Sequence, residues 1–315
     1  MPKVKKKVQN AQGEDPMNQP TIALVGMGIV GSTVAHTLTL SIPGITLLLV
    51  DINNNKCEGE EQDLDDAVAL LNSSKIISGT LQEAAQADII VIMAGIAQKT
   101  GQTRLELLET NKKIMTDIIH KMGPLQPSTI IIVVTNPVDI LTLHVQELTQ
   151  LPRNQIFGSG TLLDTIRLKE LLSEKLAINP TSLNINVLGE HGDSQFVAWS
   201  TATIDGTPLE SVRQFTTTEK KLMEDQTAHK AYDIIACKGS TSFGIAACIE
   251  IYCQAILYDK KSIVPVSCYQ TEYALCLSMP VILGKNGIKQ MITINLNKEE
   301  RTKLEQSVAA LKSVL

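Results

Sequence analysis

Three glycines at fixed spacing constrain this sequence more than any other feature. They form the segment GMGIVG, residues 26–31, directly after the aliphatic run Thr21–Val25 and at the start of a helical pattern, Val30–Leu40. A strand that turns this tightly into a helix is typical of the first unit of a parallel α/β sheet. The helix would direct free backbone N–H groups and the positive end of its dipole at the turn, which favours a bound phosphate.

An acidic residue completes the pattern of a dinucleotide site. Asp51 stands 20 residues after Gly31, where a second aliphatic run, Ile45–Val50, ends. A carboxylate here can accept hydrogen bonds from both ribose hydroxyls of NAD and would repel the 2′-phosphate of NADP, and no arginine follows it. We therefore predict that the glycine turn binds NAD, and we do not interpret it as a turn that binds no cofactor. The predicted contacts in the glycine segment are Gly26, Gly28, Ile29, Val30 and Gly31.

Aliphatic runs and helical patterns alternate along the first half of the chain. Further strand candidates are Ala87–Ala94 and Thr129–Thr135, and helical patterns cover Glu58–Leu71 and Thr103–Lys121. Aromatic residues make up only 3% of the chain, which suits strands built from Ile, Leu and Val and buried on both faces. The alternation predicts an α/β fold in which residues 21–150 form a Rossmann-type, doubly wound parallel sheet that binds NAD.

The pattern changes after residue 150. The predicted helices cover Thr161–Leu176, about Thr218–Lys238, about Ser240–Tyr258 and a last stretch from Lys298, and the predicted strands cover Ser182–Leu188, Val264–Tyr269 and Gln290–Leu296. We interpret residues 151–315 as a second, α+β domain that carries the substrate and the catalytic groups.

The first 20 residues differ from everything that follows. They are polar, carry a cluster of lysines within residues 3–7 and lack the apolar stretch of a secretory signal. We expect a disordered basic tail over residues 1–20, with Met17 as a possible alternative start and an organelle-targeting role as the weaker interpretation.

Composition narrows the possible partners. The net charge is −5, so no overall positive field attracts nucleic acid or an anionic membrane. The six cysteines contain no CxxC pair and no metal-ligand spacing with histidine, and no apolar run reaches the length of a membrane span. These features predict a cytoplasmic protein that acts on a small molecule, without a metal, a nucleic acid or a membrane as partner.

One of the five histidines has a setting suited to chemistry. His191 lies between Gly189 and Gly192 in the segment GEHGDS, after a strand pattern, whereas the other four lie in helical patterns where surface or packing roles are usual. Loops at strand ends often carry functional groups, and histidine titrates near neutral pH. If the bound NAD accepts a hydride from a hydroxy acid, His191 is the best candidate for the acid/base group.

Charged residues elsewhere could complete such a site. Asp164 and Arg167 share one face of a helical pattern, either as a local ion pair or with Asp164 orienting His191 and Arg167 binding a substrate carboxylate through two parallel N–H bonds. The polar segment Ile96–Thr103 could form a lid over the substrate. Arg104 at its base would then polarise the reacting carbonyl, the alternative being a solvated arginine at the start of a helix.

Together the motifs resemble the L-lactate/malate dehydrogenase family over roughly residues 20–315, and its L-lactate branch most closely. The segments that carry the resemblance, in the family's order and spacing, are GMGIVG, LLLVDIN, AGIAQKTGQTRLELLETN, VVTNPVDILT, GSGTLLDTIRLKELL, VLGEHGDS and KGSTSFGIA. The resemblance implies an NAD-dependent 2-hydroxyacid dehydrogenase that assembles as a homotetramer or a homodimer.

The resemblance also implies a role for each matching residue. His191 matches the acid/base residue, Asp164 its aspartate partner, Arg167 the arginine for the substrate carboxylate, and Arg104 the arginine that polarises the carbonyl. Three further matches are Asn136, which would contact the substrate and the nicotinamide side and precede a cis proline, Thr241, which would line the substrate pocket, and Ile245, which would pack against the nicotinamide.

Gln98 matches the family's specificity position. Malate dehydrogenases resemble one another in having an arginine there for the second carboxylate of oxaloacetate. A neutral glutamine would leave that carboxylate buried without a counter-charge, whereas the methyl group of pyruvate requires none. The resemblance therefore favours pyruvate and L-lactate, with a malate dehydrogenase, a broader 2-hydroxyacid dehydrogenase and a non-catalytic NAD-binding protein as alternatives.

Overall fold

A computed structural model describes residues 19–71, 74–96 and 104–315 of the chain. The predicted basic tail, up to residue 18, lies outside the described residues, as does the predicted lid between residues 97 and 103.

The described chain alternates strands and helices in its first half and mixes them less regularly in its second. The strands are β1 (Thr21–Val25), β2 (Thr46–Val50), β3 (Lys75–Ser78), β4 (Ile89–Ile92), β5 (Ile130–Val133), β6 (Ile156–Gly158), β7 (Leu183–Asn184), β8 (Val187–Leu188), β9 (Phe196–Val197), β10 (Thr203–Ile204), β11 (Thr207–Pro208), β12 (Ser262–Gln270), β13 (Leu275–Gly284) and β14 (Gly287–Met291). The helices are α1 (Ile29–Ser41), α2 (Asn54–Leu71), α3 (Leu81–Ala84), α4 (Arg104–Met122), α5 (Val138–Leu148), α6 (Leu162–Leu176), α7 (Leu209–Val212), α8 (Thr217–Lys238), α9 (Phe243–Leu257) and α10 (Lys298–Lys312).

One large sheet organises the molecule. Its nine strands, counted over the described ranges, follow the order β14-β13-β12-β6-β5-β4-β1-β2-β3. Six neighbouring strands, in the order β6-β5-β4-β1-β2-β3, pair in parallel. Beside β6, the strands β12, β13 and β14 extend the sheet in antiparallel pairing. The predicted doubly wound parallel sheet is confirmed. Strand order reverses direction between β1 and β4, and a ligand cleft forms at the carboxyl ends of strands at such a point.

Alternate side chains of the parallel strands enter two separate apolar layers. Ile22 and Leu24 of β1 belong to a buried cluster with residues of α1 and α9 on one face of the sheet. Ala23 and Val25 belong to a second cluster with residues of α4 and α5 on the other face. Burial on both faces explains why these strands are continuous aliphatic runs in the sequence.

Two predicted strands of the second half are wrong in extent. The predicted strand Ser182–Leu188 is two short strands in different sheets, β7 and β8, because the Val187 N–H donates to Thr165 Oγ1 of α6 at 3.0 Å. The predicted strand Gln290–Leu296 starts and ends earlier, as β14, because a tight turn with Gly287 at φ +81° pairs it with β13. The sixth parallel strand, β6, begins after residue 150.

Two further features bear on the kind of site that the fold can hold. All six cysteines lie in the described ranges and are free thiols. Within those ranges no helix has the length and apolarity needed to cross a membrane, and no group of three or more His, Cys, Asp and Glu side chains could hold a metal ion.

Candidate active site

The glycine turn lies at the end of β1 and opens a cleft. A Cβ atom on Gly26, whose φ is +100°, would lie 2.5 Å from the Ala94 backbone nitrogen, and one on Gly31 would lie 2.1 Å from the Gly26 carbonyl oxygen. A Cβ on Gly28 would meet none of the described atoms within 4 Å, and no described side chain caps α1 there. Two glycines thus permit close packing, and the third leaves space in front of the helix N-terminus for a phosphate.

Asp51 lies at the edge of the same cleft. Its Oδ2 accepts a hydrogen bond from the Met27 backbone N–H at 2.7 Å, and its Oδ1 accepts one from the Asn53 N–H at 3.0 Å. These bonds tie the end of β2 to the glycine turn and leave further acceptor positions of the half-buried carboxylate for a ligand.

The cleft encloses a cavity of about 560 Å³. Its lining includes Gly28 and Asp51, Thr80 and Leu81, and Ile114 of α4. This volume is within the range of small-molecule and cofactor sites, and a cleft that combines a phosphate-accepting helix start with apolar lining residues suits a dinucleotide. The residues present therefore fit NAD.

The remaining predicted cofactor contacts lie around the start of α1. Ile29 is 62% exposed, whereas Val30 and Ile245 are partly buried and pack against the same apolar cluster, in which α1 meets α9. Asn136 is exposed just after β5, and the bond to Pro137 is cis, as predicted.

Asn111 was not identified from the sequence. It is fully buried in α4, and its side chain bonds the Ile96 N–H at 2.9 Å, the Ile96 carbonyl at 3.3 Å and the Asn136 carbonyl at 2.8 Å. Asn111 thereby connects Ile96, the first residue of the predicted lid, to Asn136, the predicted substrate contact. A polar residue at a core-facing position of a helical pattern is the signal that could have revealed it.

His191 lies in the loop between β8 and β9. Gly189, with φ +89°, exchanges backbone hydrogen bonds with Ser278 of β13 at 3.1 and 2.8 Å. A Cβ on Gly189 would lie 2.6 Å from Ser307 Oγ, and the same hydroxyl accepts from the Glu190 N–H at 2.6 Å. Gly189 therefore has to be a glycine, because a side chain there would clash with Ser307 of α10.

Asp164 joins His191 to Arg167. His191 Nδ1 lies 2.8 Å from Asp164 Oδ2, and Arg167 Nη1 donates to Asp164 Oδ1 at 3.2 Å. Because an ionised carboxylate only accepts, Nδ1 carries the proton, and Nε2 is left to face a ligand. The side chains of Asp164 and Arg167 are buried, while that of His191 is 25% exposed. The local ion pair and the contact with histidine, considered as alternatives, are both present.

Asp164 and His191 shift each other's pKa. For Asp164, burial acts to raise the pKa, but the charge and hydrogen bond of His191 and then of Arg167 outweigh it, and the pKa is lowered. For His191, burial acts to lower the pKa, but the carboxylates of Asp164 and then Asp139 outweigh it, and the pKa is raised. The arrangement favours an imidazolium beside a carboxylate.

Thr241 and the lid residues complete the predicted set. Thr241 is half-buried between α8 and α9, and a Cβ on Gly244 of α9 would lie 2.8 Å from Leu163, the neighbour of Asp164. Arg104 is the first residue of α4. Gln98 lies outside the described residues.

Comparison with family models covers nearly the whole described chain. Residues 21–158 match the model of the lactate/malate dehydrogenase NAD binding domain, and residues 161–315 match the model of the alpha/beta C-terminal domain of the same family.

Individual proteins agree with this match. L-lactate dehydrogenase A of Rhizopus oryzae is 42% identical over 293 residues, which cover 93% of this chain and 91% of the relative. The crystal structure of a minor L-lactate dehydrogenase from Enterococcus mundtii has a TM-score of 0.89 at 34% identity and covers 94% of this chain and 97% of its own. A lactate dehydrogenase from a Medee basin deep-sea metagenome library also has a TM-score of 0.89, at 29% identity, covering 95% of this chain and 98% of its own. The family expected from the motifs is confirmed: the chain belongs to the lactate/malate dehydrogenases.

Proposed function

We propose that this chain is an L-lactate dehydrogenase that interconverts pyruvate and L-lactate with NADH and NAD. The observation that carries the proposal is the placement of a proton-donating histidine and an arginine on the same buried carboxylate, Asp164, at 2.8 and 3.2 Å. Reduction of a 2-oxoacid needs both groups at once, one for the carbonyl oxygen and one for the carboxylate beside it.

His191 moves the proton. Asp164 holds Nδ1 and stabilises the imidazolium, so Nε2–H can donate to the carbonyl oxygen of pyruvate as that oxygen gains charge. In the reverse direction neutral His191 accepts the hydroxyl proton of L-lactate at the same nitrogen.

Arg167 orients the substrate. One of its N–H groups binds Asp164 Oδ1, and the planar guanidinium has further N–H donors for a carboxylate in two parallel bonds. Burial of Arg167, which is 7% exposed, strengthens this attraction because water competes less for the charges.

The cofactor site supports NAD. Gly26, Gly28 and Gly31 would hold the pyrophosphate at the start of α1, and Asp51 would accept the ribose hydroxyls. When bound, NADH supplies the hydride that reduces the carbonyl carbon. The roles of Ile29, Val30, Ile245, Asn136, Thr241 and Arg104 remain those that the family resemblance implies, as does the division into residues 21–150 and 151–315.

We also propose that the protein is a homotetramer or a homodimer in the cytoplasm. Large apolar side chains are exposed along α8 and α9, namely Leu222 (52%), Tyr232 (59%), Ile235 (46%) and Phe243 (73%), and such a surface suits contact with another copy. Free cysteines suit a reducing compartment. Light scattering of the purified protein measures the assembly directly, and a monomeric mass would contradict this part.

A spectrophotometric assay tests the proposed activity. NADH loss at 340 nm (a general property of the cofactor) is measured with pyruvate, oxaloacetate and phenylpyruvate, and NADPH replaces NADH in a parallel series. We expect the highest kcat/KM with pyruvate and NADH. A higher kcat/KM with oxaloacetate would indicate the malate branch, comparable values for all three acids would indicate a broad 2-oxoacid reductase, and no NADH loss would indicate a non-catalytic protein.

One substitution sharpens the substrate assignment. Gln98→Arg would add the counter-charge that a second carboxylate needs, so kcat/KM for oxaloacetate relative to pyruvate should rise by about 10²-fold. Gln98→Glu is the matched control, because the negative charge should lower the same ratio. An unchanged ratio in both variants would contradict the assignment of Gln98 to the substrate pocket.

A further inference from the structure

We infer that Asp139 is a positioning residue for His191: its buried carboxylate holds the His191 backbone in place, and its negative charge favours the protonated imidazole. The inference rests on the proposed function, since it assigns a task in the same site. Asp139 does not belong to the set of catalytic and binding residues that the motifs indicated.

Asp139 connects three separate parts of the chain. It is the second residue of α5 and is 2% exposed. Its Oδ2 accepts a hydrogen bond from the His191 backbone N–H at 2.8 Å, and its Oδ1 accepts one from Ser267 Oγ of β12 at 2.5 Å. The carboxylate therefore fixes the histidine loop to a helix and to a strand of the central sheet.

The loop is held on both sides of this bond. The N–H of the preceding residue, Glu190, donates to Ser307 Oγ of α10 at 2.6 Å. The imidazole ring itself bonds Asp164 at 2.8 Å. With successive backbone N–H groups and the ring all bonded, Nε2 keeps one position relative to a substrate, and misplacement of a catalytic group by about 1 Å is known to be costly.

The hydrogen bonds alone do not explain why this residue is an aspartate. An asparagine could accept from the His191 N–H through its oxygen and donate to Ser267 Oγ through its amide, at a lower desolvation cost than a buried charge. What the carboxylate adds is a second negative charge near His191. The N-terminus of α5, where Asp139 lies, offsets part of the cost of burying that charge.

Several charged groups surround the pair. Helix α6 supplies Asp164 and Arg167, and the loop supplies Glu190, whose charge acts to raise the pKa of Asp139. The nearby thiols of Cys268 and Cys276 have raised pKa values because they are buried, so they remain uncharged.

Burial raises the pKa of Asp139 to about 6, against the bonds from Ser267 and the His191 N–H. The group is therefore ionised at neutral pH, and its charge acts to raise the pKa of His191. Pyruvate reduction needs protonated His191, so kcat/KM should fall as pH rises through that pKa.

Asp139→Asn tests the inference through the pH profile of kcat/KM for pyruvate at saturating NADH. Removing the Asp139 charge, which acts to raise the pKa of His191, should lower the midpoint by about 0.5 to 1 pH unit. Above the midpoint, kcat/KM should then be about three- to tenfold lower than in the wild type, and at low pH it should be nearly equal.

Glu300→Gln is the matched control. Glu300 is another buried carboxylate, 3% exposed, which caps α10 and accepts from the Ser200 N–H at 2.8 Å. The control should lower the thermal stability without moving the midpoint. If Asp139→Asn also lowers stability and leaves the midpoint unmoved, its role is structural only and the inference fails.

Ser267→Ala provides a second test should Asp139→Asn not fold. Loss of the Ser267 bond disfavours the ionised form of Asp139 but keeps the bond to the His191 N–H. The midpoint should move in the same direction by a smaller amount, and an unmoved midpoint would overturn the inference.

Chemical modification separates this inference from the proposed function. Diethyl pyrocarbonate reacts with neutral imidazole, and mass spectrometry of the His191 peptide reports the pH dependence of the reaction without any substrate. The midpoint of this reaction should also be lower in Asp139→Asn. If the wild type consumes no NADH with any 2-oxoacid, the proposed function fails, whereas an unmoved modification midpoint rejects the inference about Asp139 on its own.

Discussion

The cofactor cleft and the histidine site of this protein are constructed in different ways. The cleft is made at the ends of neighbouring strands: β1 leads through the glycine turn into α1, and Asp51 at the end of β2 bonds Met27 at 2.7 Å. The histidine site is made by side chains from separate elements that converge on one loop, where Asp139, Asp164 and Ser307 accept hydrogen bonds. This chain therefore shapes its cofactor cleft between strands that are near in sequence and holds His191 by hydrogen bonds to distant parts of the chain.

The difference predicts that the two regions can be damaged separately. Substitutions around His191 should change the chemistry and leave nucleotide affinity intact. Substitutions in the glycine turn should change nucleotide affinity or folding and leave the pH behaviour of His191 intact.

The largest effect is expected for His191→Asn. The amide can keep the hydrogen bond to Asp164 but cannot supply a proton, so kcat for pyruvate reduction should fall by about 10³-fold. The Kd for NADH, measured by fluorescence titration, should stay within about twofold of the wild type. His229→Asn, at an exposed site on α8, is the matched control and should keep full activity. A parallel loss of NADH affinity in His191→Asn would show that the two regions are not separate.

A smaller effect is expected for Arg167→Lys. Lysine keeps the charge but loses the planar pair of N–H donors, so KM for pyruvate should rise by about 10²-fold while kcat changes less. Arg213→Lys is the control for replacing an arginine by a lysine, because the Arg213 side chain is 42% exposed. Steady-state kinetics of both variants provide the measurement. A fall in kcat at constant KM would instead assign Arg167 to the chemical step.

The smallest effects are expected for substitutions at two glycines of the same turn, Gly31 and Gly28, which should differ in whether stability or NADH affinity is lost. Gly31→Ala places a Cβ 2.1 Å from the Gly26 carbonyl, so the backbone must shift, and the protein should lose about 1–3 kcal/mol of stability. Gly28→Ala, at φ −74°, fits without strain and should raise the Kd for NADH by about tenfold at an unchanged melting temperature. Calorimetry and NADH titration of both variants provide the measurement, and equal stability losses would contradict the packing argument.

Much of the fold followed from sequence pattern. The aliphatic runs that became β1, β2, β4 and β5 were identifiable because strands buried on both faces must be apolar throughout. The short strands β3 and β6 were not identified, because four or three residues carry too little pattern to stand out from a loop. The split of Ser182–Leu188 was missed for a different reason: the Val187 N–H donates to Thr165 Oγ1 of α6, a contact that the local sequence pattern does not show.

Part of the candidate site could also be predicted from the sequence. His191, Asp164 and Arg167 were selected by a glycine-flanked loop and by spacing on a helix, and the structure brings them into contact. Asn111 and Asp139 were not selected. A polar residue at a core-facing position of a helical pattern is a signal, but the pattern does not show which distant groups its side chain bonds.

Sequence alone indicated the cofactor cleft, because the glycine turn lies within one strand–turn–helix unit and its partner Asp51 ends the next strand, only 24 residues from Met27. Tertiary structure alone decided how His191 is held. Asp139 is 52 residues from His191, Ser267 is 128 residues from Asp139, and Ser307 is 117 residues from Glu190. A hydrogen bond depends on distances of about 3 Å in space, and separation along the chain carries no information about those distances until the sheet and its helices have formed.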